Sequence, residues 1–271
     1  MSKERIDQIR QRVQNPAFIS GIHNYCDRWC QRCPLTARCT VFAMELAEAG
    51  AKDDGTAEDF WGHLTDILAS AAEMLHEWAE TAGIDLTDVG IDDVDRRSGD
   101  DHILVISARK YSDQVGGWFD AHSQLLAGLQ DGHGAGSASY LQPVSNAPAA
   151  ASAADFIDII LWYHTLIVAK LHRAVLPDPL ESIEDMEDLP RDADGSAKVA
   201  LIAIDRSLAA WIGLNALFPQ VKPEIEGFVA HLGKLRRSVQ WAFPNARTFV
   251  RPGFDDETVV SAPGGVTSQI T

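Results

Sequence analysis

Basic side chains are in short supply. Twenty-three lysines and arginines stand against 39 acidic residues in a chain of 271, leaving a formal net charge of -16. A field of that sign repels phosphate backbones and anionic lipid, so general nucleic-acid binding and membrane-surface binding are not expected. Strand patterns are lacking as well: only HILVIS at 102–107 is short and ambiguous. The charged opening MSKERIDQIRQRVQ leads into no apolar stretch, so no secretory signal is expected. The most apolar stretch, 156–176, contains Asp158, His164, Lys170, His172 and Arg173, too many ionisable groups for lipid. The expectation is a cytoplasmic protein, without a membrane partner, whose thiols stay reduced. Cysteine is scarce too, at four residues, and all four lie between positions 26 and 39.

What is present is helical periodicity around an ordinary apolar content of 46%. Phe60, Leu64, Ile67, Ala71, Leu75 and Trp78 recur at three- and four-residue steps, predicting a helix over about 57–81. A second stripe runs from Leu104 through Tyr111 and Trp118 to Leu129, with His122 on it. The stretch 156–176 is apolar nearly all round and reads as the central helix. Two more stripes run from Leu201 to Leu214 and from Phe228 to Phe243, the last stopped by Pro244. The fold class expected is all-α: a helical bundle forming one domain over 1–249, with a metal-binding segment at 22–40 and an extended or disordered tail at 250–271. The aspartate-rich 83–101, the Gly/Ser/Ala/Pro-rich 131–153 and the acidic 177–195 read as connections. The aspartates of 83–101 do not follow a calcium-loop order, and GHGAG at 132–136 lacks the context of a phosphate loop. Positive charge gathers at the start: residues 1–40 carry +4 and the remainder -20.

The cysteines carry the chemistry. Cys26, Cys30, Cys33 and Cys39 form C-x3-C-x2-C-x5-C. A helix over 25–33 would put the first three on one face, and Pro34 would end it so that the loop returns Cys39 to them. Converging thiolates repel one another and call for a cation, and in a reducing compartment they point to a metal site. Four small buried hydrophobes would be the alternative, but Asp27, Arg28, Gln31, Arg32 and Arg38 make the segment polar. Structural zinc takes four thiolates at ~2.3 Å, usually from two C-x2-C knuckles. Only one such pair exists here, and unevenly spaced thiolates from one loop suit the larger [4Fe-4S] cubane. Zinc remains the alternative cofactor.

Residues 30–39, Cys-Gln-Arg-Cys-Pro-Leu-Thr-Ala-Arg-Cys, resemble the iron–sulfur loop of the endonuclease III and adenine DNA glycosylase family. That family's C-x6-C-x2-C-x5-C loop holds a [4Fe-4S] cluster in a helical domain. The last three cysteines match in spacing, whereas the first gap is three residues and the loop lies near the N-terminus. The resemblance implies a cluster on Cys26, Cys30, Cys33 and Cys39; with no helix-hairpin-helix segment and an acidic chain, it does not imply glycosylase activity. Arg28, Arg32 and Arg38 would raise a cluster's potential.

Elsewhere, Glu73-x-x-His76 has no second copy, so a di-metal carboxylate centre is not expected. Asp158, His164, Lys170 and Asp205 lie on apolar helices and are the candidates for a polar pocket. Three functional readings follow: a redox or redox-sensing [4Fe-4S] protein with a partner protein or small molecule; a zinc-stabilised, non-enzymatic interaction protein; or an enzyme using that polar pocket beside a structural cluster.

Overall fold

The computed structural model describes residue 11 and the stretches 14–50, 57–83, 99–123, 153–177 and 191–255. Among these residues the chain is mostly helical, with no strand; residues 103–107 of HILVIS fall in a helix that His102 caps. Most of the expected connections at 83–101, 131–153 and 177–195, and the chain beyond 255, fall outside the described residues.

The chain divides into two compact units. One comprises Met1–Asn24 and Cys33–Val94, the other Tyr25–Arg32 and Asp95–Thr271. In the first, turns over 14–24 lead to Gly21, whose φ of +70° suits glycine. The Ile19 amide donates to the Arg38 carbonyl at 3.0 Å. A single 3-10 turn, Thr36–Arg38, precedes helix α1 (Thr40–Gly50). Helix α2 (Ala57–Ala82) is 26 residues long and amphipathic.

The second unit is built on four helices: α3 (Ile103–Ala121), α4 (Ala153–Val175), α5 (Asp192–Leu217) and α6 (Lys222–Ala242). α3 packs on α4 and α6, and α5 packs on α4 and α6, closing a four-helix ring. The sequence dictates this through 3–4 spacing. Leu104, Ala108, Tyr111, Val115 and Trp118 on α3 face Ile225, Phe228, Leu232, Leu235 and Val239 on α6, all buried. Trp211 stacks on Phe228 with centroids 4.5 Å apart, and its indole nitrogen donates to the Tyr111 hydroxyl at 2.9 Å. That hydroxyl is buried and its pKa is pushed up by loss of water.

One expectation is corrected here. The central helix is α5, not the more apolar α4. Residues 194–197, 199–201, 203 and 204 of α5 are all buried, because its small residues let neighbours approach from every side. A Cβ at Gly195 would run into the Tyr25 and Phe249 rings, and one at Gly213 into Phe156. α4 keeps an exposed face with Asp158 and Leu161. α5 also meets the length and composition of a membrane-crossing helix, and half of that window is buried in the fold. Beyond α6 the chain does not simply run out. Residues 252–255 form a turn, with Asp255 held by Arg251 at 2.9 Å and by Lys198 at 2.8 Å.

Candidate functional site

The expected helix over 25–33 does not form. Arg28 adopts φ +58°, a left-handed conformation that interrupts a right-handed helix between Cys26 and Cys30. Asp27 stabilises this turn: its Oδ1 accepts from the Trp29 amide at 3.2 Å. Only Cys30–Arg32 closes as a 3-10 turn. The geometry that would place three cysteines on one helical stripe is therefore absent.

A different device holds the segment. The residues between the cysteines dock onto the bundle. Tyr163 donates its hydroxyl to Asp27 Oδ2 at 2.7 Å, and Arg206 reaches the same oxygen at 2.5 Å. Trp162 donates its indole N–H to the Asp27 carbonyl at 2.9 Å. Trp29 stacks on Trp162 with centroids 5.1 Å apart, and Arg32 lies 4.3 Å over the Trp29 ring. Arg32 also meets Asp155 and Asp158, each at 3.3 Å. At the other end, Tyr25 donates to Asp192 at 3.0 Å, and Arg173 clamps the same carboxylate. Residues 25, 27, 29 and 32 thus anchor the stretch that carries Cys26 and Cys30.

The four cysteines are half-buried and none is in a disulfide. Cys39 ends the Thr36–Arg38 turn and gives its carbonyl to the Ala43 amide at 3.0 Å, opening α1. Lys170, only 8% exposed, lies within electrostatic reach of Cys26. Burial lowers the pKa of this amine, while Cys26 and Asp192 raise it and Arg173 and Arg28 lower it. Arg28 and Arg32 are exposed and Arg38 is half-buried. No protein family, curated protein or solved structure matches this chain.

Among the described residues, no three Cys, His, Asp or Glu side chains are gathered closely enough to hold a metal ion. Cys26 and Cys30 belong to the bundle unit and Cys33 and Cys39 to the other, and all four are free thiols, the side chains that thiophilic metals take. A lone zinc ion needs every sulfur within ~2.3 Å of one point. A cubane offers separate corner irons and demands less convergence.

The polar-pocket candidates are scattered. Asp158 pairs with Arg32. His164 Nδ1 lies 2.9 Å from the Ser112 hydroxyl, with its pKa lowered by burial. Asp205 is held by Arg236 at 2.7 Å and Arg247 at 3.0 Å. Steps of six residues along α4 turn Asp158, His164 and Lys170 to three different faces. Lys170 and Asp158 instead join the cysteine-bearing segment, a meeting that no sequence spacing signals.

Two grooves escaped the sequence reading. One, of about 630 Å³ between α3 and α4, is lined by Asp100, Arg109, Ser112, Thr165 and His172. There the Asp100 carboxylate accepts from Arg109 at 2.5 Å and meets His172 at 3.1 Å; the Arg109 bond holds its pKa below the usual carboxylate value. The other, of about 610 Å³ between α3 and α6, includes Lys110, Trp118, His122, Glu224 and His231. In it Trp118 donates its indole N–H to Glu224 at 2.7 Å. His122, on the stripe through Trp118, was the available signal for the second.

Proposed function

We propose that Cys26, Cys30, Cys33 and Cys39 hold a [4Fe-4S] cluster and that the protein has a redox or redox-sensing role. The single observation that carries this reading is the sequence spacing: every cysteine of the chain falls in a C-x3-C-x2-C-x5-C segment. A bound cluster of this kind supplies one-electron chemistry. The protein's part is to hold the thiolates and set their surroundings. Asp27, Trp29 and Arg32 fix the backbone around Cys26 and Cys30. Lys170 sets a buried amine within electrostatic reach of Cys26. The partly covered ring of Trp29 limits water access beside Cys30.

Anaerobic purification followed by metal and sulfide analysis tests the reading. About four iron and four acid-labile sulfide per chain, with broad visible absorbance, is the expected result. One zinc and no sulfide would transfer the cysteines to a structural ion, and no metal at all would sink both assignments. Cys39→Ser should lose or convert the cluster without changing the helical signal, because Cys39 lies outside the bundle core.

A further inference from the structure

α2 carries a seven-residue repeat along its whole length of about 39 Å. Positions 61, 68, 75 and 82 read Trp, Leu, Leu, Ala; positions 57, 64, 71 and 78 read Ala, Leu, Ala, Trp. All eight are apolar, the a/d pattern of a helix–helix seam. Trp61, Leu68 and Leu75, seven residues apart, are 62%, 61% and 52% exposed. That is a row of large apolar side chains facing water, along one edge of a helix.

Charge is arranged to let this seam meet its own copy. Asp59, Asp66, Glu73 and Glu80 form a single row at the position opposite the seam. The eight positions flanking the seam carry one charge, Glu58, at its end. Two copies of a chain of net charge -16 can therefore bring these helices together without opposing their acids.

We propose that α2 pairs with the α2 of a second copy of this chain, antiparallel about a two-fold axis. In that register each a position meets a d position of the other helix. Position 64 meets 75, leucine with leucine. Leu68 meets Ala71, large against small at the centre. A parallel pair would instead set each residue against itself, leaving an alanine layer at 71 beside a crowded leucine layer at 68. The pairing covers the exposed Trp61, Leu68 and Leu75 of both copies, six large apolar side chains.

Light scattering on the full chain under reducing conditions, from about 1 to 100 μM, tests the pairing. A dimer mass is expected, with Leu68→Glu monomeric and unchanged in helical circular dichroism. The double variant Leu68→Glu/Ala71→Lys should regain the dimer, because only the antiparallel register sets the new carboxylate against the new ammonium of the other copy. If Leu68→Glu loses helical signal, Trp61→Lys takes its place as the disrupting variant. A wild-type chain that stays monomeric, a dimer indifferent to both disrupting variants, or a double variant that remains monomeric overturns the proposal.

Discussion

Removing the Asp27 carboxylate takes an acceptor from Tyr163, Arg206 and the Trp29 amide at once. The Tyr163 side chain is almost fully buried, so its hydroxyl would lose its acceptor and keep only the donation from Arg206. Asp27→Ala should destabilise the fold by about 2–3 kcal/mol, read from the urea midpoint. Asp158→Asn removes an exposed pair with Arg32 and should cost about 0–1 kcal/mol in the same assay. An equal effect of the two variants would refute the anchoring role of Asp27. Gly195→Ala forces a methyl into the Tyr25 and Phe249 rings and should cost about 1–3 kcal/mol, seen as a lower thermal midpoint. These residues were hard to find in the sequence for a physical reason. The left-handed turn at Arg28 is imposed by contacts of Asp27 with residues 136 and 179 positions away, while local propensity favoured a helix. Lys170 reached Cys26 in the same manner, through tertiary packing alone.

Helices were legible where burial enforces a 3–4 repeat. The stripes through Leu104–Trp118 and Phe228–Val239 reappear as the buried faces of α3 and α6. The exchange of roles between α4 and α5 was not legible, because apolar content counts size and hides closeness. α5 is central through Gly195, Ser196, Ala197 and Ala200, which are small rather than strongly hydrophobic. Two histidines at helix contacts give these elements a pH dependence. Burial holds the pKa values of His164 and His231 below 6.5. The unfolded chain therefore takes up protons first as pH falls, and the stability they contribute above about 6.5 is lost on acidification. The thermal midpoint should fall from pH 7 to 5, and a His164→Gln/His231→Gln variant should flatten that slope. Asp100 and Asp255 also have lowered values, but their window lies around and below 3.8. A slope unchanged in the double variant would show that other groups set the dependence.

For the whole molecule, composition and periodicity were enough to foresee an all-α fold, while the meaning of the cysteines rests on spacing. None of the four thiols belongs to the bundle core. Replacing all four by serine should therefore leave the far-ultraviolet helical signal and cooperative unfolding of the bundle in place; a collapsed signal would make the cysteines essential to the fold. The docking of residues 25–32 carries one more consequence. The polypeptide enters the bundle unit for eight residues, leaves it, and returns at residue 95. No contiguous excision can release that unit intact. A chain trimmed to start at 95 would bare the indole of Trp162, take the acceptor from the Tyr163 phenol and leave a pit over Gly195, and its yield and solubility should suffer unless a peptide spanning 25–32 is returned in trans.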